Sequence, residues 1–322
     1  MALTDEGLMK VPGMLSRWAR LASGARAHYT TSGEDGPAVV LLHGGIAGSS
    51  GTAGFRFMAP YLGSRGFRVY CPDMPAFGLS DTRKEYRPTG LESHVDFLHE
   101  FTTALCIDRF HIAGNSLGCM NAVNYVVAHP DRVISYALIA GQIGDLQPPE
   151  TFVLDSSYTA GYDGSKDGMR ATLTSVTKGA AVPDELVEMR QRAAERNAAA
   201  YPEFMRRASM YGGFTPWDDE SMAARLSTKG RLDRLKVPGI YLYGKQDTIL
   251  PVENGYAQED VMPNTQFFYP DDCGHQGQTD QPEMFNKVFE EFFGHGQVTR
   301  QTADWAGVSR RRPEIKQLVE QP

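Results

Sequence analysis

The chain has 322 residues, of which 41% are hydrophobic and 22% are charged, and its formal net charge is −7. This composition is typical of a globular protein and excludes a collagen-like or low-complexity chain. The excess of acidic residues argues against a nucleic-acid partner, because phosphate binding depends on basic patches.

No uninterrupted apolar stretch approaches the roughly 18 residues that a membrane-spanning helix needs. The first residues lack the basic head and apolar run of a secretory signal. We therefore expect a cytoplasmic protein without a membrane partner. The four cysteines are far apart and mostly inside apolar segments, which predicts reduced core residues rather than disulfides or a metal site: Cys71, Cys106, Cys119 and Cys273.

The first 140 residues alternate strand patterns with helix patterns. Strands are predicted within residues 14–32 (two short runs) and at 38–42, 67–72, 108–113 and 133–140. Helical patterns cover residues 55–62, 91–105 and 120–129. This alternation implies right-handed βαβ crossovers and a mostly parallel central sheet flanked by helices.

The pattern changes between residues 144 and 229, where no buried-strand run occurs. Helices are predicted at 183–199 and 201–210, and we interpret this segment as an inserted helical cap. The α/β pattern then resumes with strands at 237–243 and 265–269 and helices at 252–261 and 282–293. The predicted division is a first core part (1–143), the cap (144–229), a second core part (230–295) and a C-terminal tail (296–322). The tail is predicted to be loose, or to form a short helix over 313–319.

A glycine-flanked serine lies between the strand at 108–113 and the helix that follows it. The sequence Gly114-Asn115-Ser116-Leu117-Gly118 is a G-x-S-x-G in the strand–turn–helix context of a nucleophile elbow. Side chains at 114 and 118 would collide with the neighbouring helix and strand, and the turn strains Ser116. The Leu117 N–H would then lie at a helix N-terminus, free to bind an oxyanion.

A second glycine-rich turn follows the buried strand at 38–42. His43-Gly44-Gly45 comes directly after that strand, and two glycines let the backbone turn N–H groups toward a substrate. With an elbow downstream, we expect an oxyanion loop here, with Gly45 as the N–H donor and Gly44 beside the substrate. The alternative is an ordinary strand–helix turn.

A serine hydroxyl needs an adjacent base to act as a nucleophile. His275 follows the last predicted strand, where the chain order Ser…Asp/Glu…His places the base. Asp247 follows the strand at 237–243 and is the predicted acid that orients His275, although an Asp there could also be a helix N-cap. The other candidates for the acid are Asp145, Asp271 and Asp272.

These motifs resemble those of the α/β-hydrolase family over roughly residues 15–295. The matching pieces are His43-Gly44-Gly45, the segment 73–81, the elbow at 114–118, Gly244-Lys245-Gln246-Asp247 and Cys273-Gly274-His275. The resemblance implies an α/β-hydrolase fold with a helical cap and a Ser116–Asp247–His275 triad.

Within that family, the chain is most similar to the meta-cleavage-product hydrolases, which cut a carbon–carbon bond in vinylogous 1,5-diketones from aromatic ring degradation. The form Gly-Asn-Ser-Leu-Gly and the length of the glycine-rich loop carry this resemblance. It implies that Arg190, on the predicted cap helix, binds the substrate carboxylate. It also implies that Asn115 contacts the substrate.

The chain departs from that pattern at two positions. Gln276 stands where those hydrolases usually carry Trp, and is taken as a substrate-binding residue; Gly54 stands where they usually carry Asn. Both departures favour the alternative of a carboxylester or lactone hydrolase that uses the same triad. A third hypothesis, a non-catalytic ligand receptor, is disfavoured by the complete triad. Epoxide hydrolase and dehalogenase chemistry would place Asp at the elbow.

The expected partner is a small-molecule substrate, with a homodimer as the possible assembly. No cofactor is expected, and none of the His, Cys and Asp spacings resembles a zinc site. Arg190 also has a plainer interpretation, because Glu188, Arg192 and Glu195 flank it on a helix that could simply present a solvated face.

Overall fold

The computed structural model describes residues 3–141, 143, 162–207, 220–228, 230, 231, 234 and 236–316. Its strands are β1 Leu15–Arg20, β2 Arg26–Ser32, β3 Ala38–Leu42, β4 Arg68–Pro72, β5 Phe110–Asn115, β6 Val133–Ile139, β7 Gly239–Leu242 and β8 Thr265–Phe268. They form one sheet in the order β1-β2-β4-β3-β5-β6-β7-β8. Pairing is antiparallel for β1 with β2 and for β2 with β4, and parallel elsewhere. The prediction of a mostly parallel α/β sheet is confirmed.

Helices cover both faces of this sheet. They are α1 Gly51–Phe55, α2 Met58–Ser64, α3 Leu91–Ala104, α4 Leu117–Ala128, α5 Lys166–Ser175, α6 Asp184–Arg196, α7 Ala200–Arg207, α8 Glu220–Leu226, α9 Val252–Val261, α10 Gly277–Asp280, α11 Pro282–His295 and α12 Arg300–Trp305. Helices α3 and α4 contribute to the hydrophobic cluster on one face of the sheet. Helices α2 and α11 contribute to the cluster on the other face.

The central strand β3 shows why its sequence is apolar throughout. Val40 and Leu42 belong to the cluster with α3 and α4, whereas Val39 and Leu41 belong to the cluster with α2 and α11. All four are 0% exposed. A strand covered on both faces has no solvent side, so its sequence is a continuous apolar run and does not alternate between apolar and polar residues. Full burial of each Val or Leu contributes roughly 1.5–3 kcal/mol.

The predicted helix over 55–62 is wrong in its extent, because the chain forms α1 and α2 with a break between them. Arg56 lies at that break with its side chain buried, and Nη1 donates to the carbonyl of Ala53 at 2.9 Å. This bond satisfies a carbonyl at the end of α1, which the helix itself leaves without a partner. Burial lowers the pKa of Arg56 to about 10.

The C-terminal segment is not a loose tail over its described part. Its helix α12 begins at the N-cap Thr299, and residues 307–309 then lie along the outer edge of β8. The Ser309 N–H donates to the Phe267 carbonyl at 2.9 Å, and the Tyr269 N–H donates to Gly307 at 2.7 Å. An edge strand exposes unpaired backbone groups, and this segment supplies partners for them. Residues 313–316 are not helical, and 317–319 lie outside the described residues.

Helices α5 to α8 lie between β6 and β7, where the sequence predicts a helical cap. Only α6 and α7 correspond to predicted helices; the prediction missed α5 and α8. The predicted helix at 201–210 begins one residue earlier, and its last three residues lie outside the described part of the chain. No helix within the described residues is long and apolar enough to cross a membrane.

Two buried histidines make stability depend on pH. Burial lowers the pKa of His94 and of His111 to about 4. His94 hydrogen bonds to the Pro75 carbonyl and to Asn121, and His111 to Ser135. Each is therefore neutral in the folded protein and becomes protonated on unfolding when the pH lies between about 4 and 6.5.

We predict that the free energy of unfolding is highest above pH 6.5 and falls as the pH falls toward 4. Near pH 4, each histidine lowers the free energy of unfolding by on the order of 3 kcal/mol, because the unfolded chain binds one more proton than the folded protein. Urea unfolding at pH 7, 6 and 5 measures this, and His111→Phe should reduce the slope by about one proton. His295→Asn, at an exposed histidine, is the control. Equal slopes for wild-type and His111→Phe would contradict the prediction.

Candidate active site

The turn between β5 and α4 holds Ser116 in a strained backbone conformation. Its φ is 56° and its ψ is −118°, a region that residues with a Cβ rarely adopt. The Ser116 N–H donates to the Ile139 carbonyl at 3.0 Å, which ties the turn to the end of β6. The side chain is partly exposed, whereas both residues beside it are buried. The predicted elbow geometry is therefore present.

The two glycines of the elbow are required by close backbone contacts. A Cβ on Gly118 would lie 2.1 Å from the Leu42 carbonyl oxygen of β3. A Cβ on Gly114 would lie 2.1 Å from the Gly118 carbonyl carbon and oxygen in α4. Both distances are far below van der Waals contact, so α4 can pack this closely only against glycine.

The glycine-rich loop after β3 lies directly beside the elbow. A Cβ on Gly44 would stand 3.4 Å from the Ser116 Cβ and 3.3 Å from Asn115 Oδ1, so Gly44 forms the floor next to the serine. Gly45 is buried, and its carbonyl accepts a hydrogen bond from the Tyr201 hydroxyl at 3.1 Å. Leu117 is the first residue of α4, where a backbone N–H has no partner within the helix.

His43 fixes the start of this loop as a neutral imidazole. The Met74 N–H donates to His43 Nε2 at 3.0 Å, so the proton is on Nδ1, which donates to the Gly44 carbonyl at 2.8 Å. Burial lowers the pKa of His43, and the positive charge of Arg190 contributes in the same direction. The hydrogen bond from His43 thereby fixes the peptide unit between Gly44 and Gly45.

The far end of the loop depends on Asp73, which is 0% exposed. Asp73 Oδ1 accepts from the Gly51 N–H at 2.8 Å, at the start of α1, and Oδ2 accepts from the Leu79 N–H at 2.8 Å. Oδ2 also lies 2.7 Å from His28 Nδ1. Burial acts to raise the pKa of Asp73, but the charge and hydrogen bond of His28 outweigh it and hold that pKa below its usual range.

His275 and Asp247 form a hydrogen-bonded pair, with 2.8 Å between His275 Nδ1 and Asp247 Oδ2. Both are buried. A carboxylate can only accept, so in the neutral form of the imidazole the proton is on Nδ1, and Nε2 has the lone pair that a base needs. Asp247 Oδ1 accepts from the N–H groups of Ile249 and Leu250 at 2.8 and 3.0 Å. The same side chain therefore closes a turn and orients His275.

Asp271 and Asp272, the other candidate acids in the loop after β8, form no hydrogen bond with His275 in the described structure. Asp271 is exposed and forms a salt bridge with Lys245 at 2.9 Å. Asp272 is also exposed and has a positive φ of 51°. Asp145 lies outside the described residues. Asp247 is thus the carboxylate that the fold brings to the imidazole.

Arg190 lies on α6, where it packs against the glycine-rich loop after β3 and is not part of a solvated helix face. It is 2% exposed, and Nη2 donates to Ser49 Oγ at 3.0 Å and to the Ala47 carbonyl at 3.3 Å. A Cβ on Gly48 would lie 2.0 Å from the Arg190 carbonyl oxygen, so α6 and the loop touch through their backbones. A positive charge therefore lies in the contact between α6 and the glycine-rich loop after β3.

Gln276 and Gly54, the two positions at which the sequence departs from the resembled hydrolases, both form hydrogen bonds within the protein. Gln276 is buried, and its N–H donates to the Val176 carbonyl at 3.0 Å, just beyond the end of α5. Gly54 lies within α1, with its Cβ position 3.4 Å from the His43 Cβ, and its carbonyl accepts from Gln278 at 3.4 Å. Gln276 therefore joins the loop of His275 to the segment that follows α5.

The side chain of Asn115, which is expected to contact the substrate, forms hydrogen bonds within the protein. Its Nδ2 donates to the Ile139 carbonyl at 3.0 Å and to the His275 carbonyl at 2.9 Å. A side-chain amide nitrogen has two hydrogens, so both are used within the protein. No donor hydrogen of this amide is left for a substrate group, so the predicted contact with the substrate is left to Oδ1.

Asp73, Ser49 and Tyr201 also shape this site, although the sequence motifs did not predict roles for them. Asp73 is the first residue of the motif at 73–81, and this motif could have identified Asp73 as a residue of the site. Ser49 and Tyr201 come from different parts of the chain, and no local pattern marks them. In the described residues, no group of three or more His, Cys, Asp or Glu side chains could hold a metal ion.

The sheet order, the helical insertion and this site define a fold class, and comparison with known proteins agrees with it. The chain belongs to the alpha/beta hydrolase fold family, whose model matches residues 37–282.

Several relatives cover most of the chain. A 2-hydroxy-6-oxononadienedioate/2-hydroxy-6-oxononatrienedioate hydrolase of Pseudomonas putida is 28% identical, over 87% of this chain and 96% of the relative. A 2-hydroxy-6-oxo-6-phenylhexa-2,4-dienoate hydrolase of Burkholderia cepacia is 27% identical, over 85% and 93%. The solved structure of the 2-hydroxy-6-oxo-6-phenylhexa-2,4-dienoate hydrolase from Rhodococcus sp. strain RHA1 aligns with a TM-score of 0.68 and 25% identity, over 87% and 99%.

We predict that Asp247→Asn lowers the kcat of hydrolysis by about 10³–10⁴-fold, because an amide can stabilise the wrong imidazole tautomer. Turnover of an aryl ester such as p-nitrophenyl butyrate measures this without assuming the natural substrate. Asp271→Asn, in the exposed salt bridge, is the matched control and should retain at least half of the wild-type rate. A larger loss for Asp271→Asn than for Asp247→Asn would overturn the assignment of the acid.

Proposed function

We propose that the protein is a serine-dependent hydrolase that cleaves a carbon–carbon bond in a meta-cleavage product, a vinylogous 1,5-diketone dienoate from aromatic degradation. Ser116 is the proposed nucleophile, His275 the base and Asp247 the acid. The relatives that cover most of the chain are named as hydrolases of such dienoates. The observation that carries the substrate class is the buried guanidinium of Arg190 beside the oxyanion loop.

A buried positive charge suits an anionic substrate group. Guanidinium and carboxylate match in geometry, and such a charge-assisted bond is worth about 1.5–3 kcal/mol. We assign Arg190 to the dienoate carboxylate. Gln276, next to the base, is also proposed to contact the substrate, at the position where the meta-cleavage-product hydrolases that this chain resembles usually carry Trp. Gly44 lies at the floor beside Ser116 and leaves room for the reacting carbonyl.

In the proposed reaction, the bound dienol first becomes a ketone by moving its hydroxyl proton to carbon. His275 Nε2 then takes the proton of Ser116 Oγ, which attacks the distal carbonyl carbon. The N–H groups of Gly45 and Leu117 bind the oxygen anion. The carbon–carbon bond breaks, and its electron pair passes into the ketonised part as a stabilised dienolate, which takes up a proton.

Water then hydrolyses the acyl-Ser116 ester, with His275 as the base, and releases a carboxylic acid. In an alternative order, Ser116 and His275 activate a water molecule that attacks the carbonyl directly. Both routes consume one water per bond broken and need no oxidant. Helices α5 to α8 would form the cap over this site. A homodimer and a cytoplasmic location stay predictions from the sequence.

We predict that the wild-type enzyme bleaches the visible absorbance of a 2-hydroxy-6-oxo-dienoate, because cleavage destroys its conjugation. Ser116→Ala should retain less than about a thousandth of this rate while its circular dichroism matches wild-type, since the nucleophile is removed and no packed atom is added. Several dienoates with different substituents at the distal carbonyl should be tested. No bleaching of any of them by wild-type would refute the carbon–carbon hydrolase.

Arg190→Ala should raise the KM for the dienoate by about 10–100-fold, because a buried charge-assisted bond to the carboxylate is lost. Turnover of p-nitrophenyl butyrate should change by less than about threefold. Arg192→Ala is the matched control, since Arg192 lies on the same helix, is exposed and pairs with Glu188 at 2.8 Å. Equal losses on both substrates would mean that Arg190 supports only the oxyanion loop.

The second candidate is a carboxylester or lactone hydrolase with the same triad. Two observations favour it: Gly54 and Gln276 replace residues that related dienoate hydrolases carry, and the amide hydrogens of Asn115 are used within the protein. An ester needs no dienoate clamp. High turnover of aryl esters or lactones that survives Arg190→Ala, together with no bleaching of dienoates, would support this candidate.

A further inference from the structure

Asn115 joins three parts of the fold at the point where the reaction is proposed to occur. It is the last residue of β5, is 2% exposed and directly precedes Ser116. Its side chain turns away from its own strand and reaches the end of β6 at Ile139 and the loop after β8 at His275. The His275 carbonyl lies 160 positions away in the chain, so only the tertiary fold creates this contact.

The orientation of the amide is fixed by its neighbours. Both atoms that face Nδ2 are backbone carbonyl oxygens, at 3.0 and 2.9 Å. An amide oxygen in that position would put lone pairs against lone pairs, so the NH2 end must face them. A substrate on the other side of Asn115 could meet only Oδ1, which lies 3.3 Å from the Cβ position of Gly44. An acceptor oxygen there would repel a carboxylate.

The other hydrogen bonds of the His275 loop run in different directions, and two of them join Cys273 to Gln246 at 3.0 Å each. The Gln276 N–H reaches the Val176 carbonyl at 3.0 Å, and the Gly274 N–H reaches Asp280 at 2.8 Å. These contacts join the loop to the segment after α5 and to α10. By contrast, the hydrogen bond from Asn115 to the His275 carbonyl joins this loop to β5, the strand that leads to Ser116.

We propose that Asn115 is a positioning residue that sets the distance between Ser116 and His275. The peptide bond fixes Ser116 to Asn115, and the Asn115 amide fixes the backbone of His275, so the two reacting side chains share one rigid support. The Ile139 carbonyl accepts both from Asn115 and from the Ser116 N–H, which prevents the support from rotating. The role rests on the proposed serine–histidine chemistry, but not on the carbon–carbon substrate.

The test is the rate at which a small organophosphate, diethyl p-nitrophenyl phosphate, labels Ser116. This probe has neither a carboxylate nor a dienoate, so it reports the nucleophile and base alone. Asn115→Ala should lower the labelling rate by about 10–100-fold, since displacement of a reacting group by about 1 Å costs about that much. Asn115→Asp, which replaces the donors by an acceptor, should lower it further. Asn115→Ser, which keeps one donor, should fall between Ala and wild-type.

A matched control separates this role from a general loss of packing. Asn121 is 0% exposed and lies on α4, where it bonds to His94 instead of the His275 loop. Asn121→Ala should lower the thermal midpoint as Asn115→Ala does, but should leave the labelling rate within about threefold of wild-type. For Asn115→Ala, kcat for p-nitrophenyl butyrate should fall while KM stays within about threefold.

A labelling rate of Asn115→Ala within about twofold of wild-type, with a raised KM for the dienoate alone, would overturn the positioning role and restore a substrate contact. If Asn115→Ala does not fold, the order of Asn115→Ser and Asn115→Asp decides, and equal rates for both would likewise overturn it. Wild-type that labels normally but bleaches no dienoate refutes the proposed substrate and leaves the role of Asn115 standing. Wild-type that does not label refutes the triad, and this role with it.

Discussion

The close approach of α4 to β3 and β5 is the constraint on which the candidate site depends. Gly114 and Gly118 allow backbone contacts that any side chain would prevent, and Ser116 adopts a φ of 56° as a result. A strained residue persists only where its surroundings over-determine it. Here, the two fully covered faces of the central sheet supply that support, because β3 and β5 are buried along their whole length.

The loop opposite the serine is held by buried polar groups rather than by apolar packing. His43 fixes its first peptide, and Asp73 fixes the start of the helix at its far end. A buried carboxylate is costly unless hydrogen bonds and a partner charge compensate it, and Asp73 has both. An oxyanion site works by having its N–H groups oriented before the reaction, so rigidity in this loop has a direct chemical use.

The segment between β6 and β7 also forms hydrogen bonds to this loop. Arg190 from α6 bonds to the glycine-rich loop after β3, and Tyr201 from α7 bonds to Gly45. Residues of this insertion therefore brace the loop that is proposed to bind the oxyanion. Turnover of an ester without a carboxylate therefore distinguishes support of this loop from binding of a carboxylate.

The sequence by itself determined the features that are local in the chain. The alternation of apolar runs and helical spacing predicted the parallel sheet, and the elbow, Asp247 and His275 were found because each follows a buried strand. These are short-range patterns, since strand burial and turn sterics depend on neighbouring residues. The break after α1 and the helix α12 were missed as well. The contact of residues 307–309 with the edge of β8 could not be predicted locally, because its partners lie in a different part of the chain.

Only the tertiary structure decided which side chains meet. The sequence left four acids open, and the fold brought Asp247 to His275. It also gave Asn115 a role that a linear motif does not show, since the His275 carbonyl becomes its acceptor only when β5 and the loop after β8 lie side by side. Hydrogen bonds between residues more than a hundred positions apart leave no periodic trace in sequence. Packing of the strands fixes them, and chemistry at the strand ends follows from that packing.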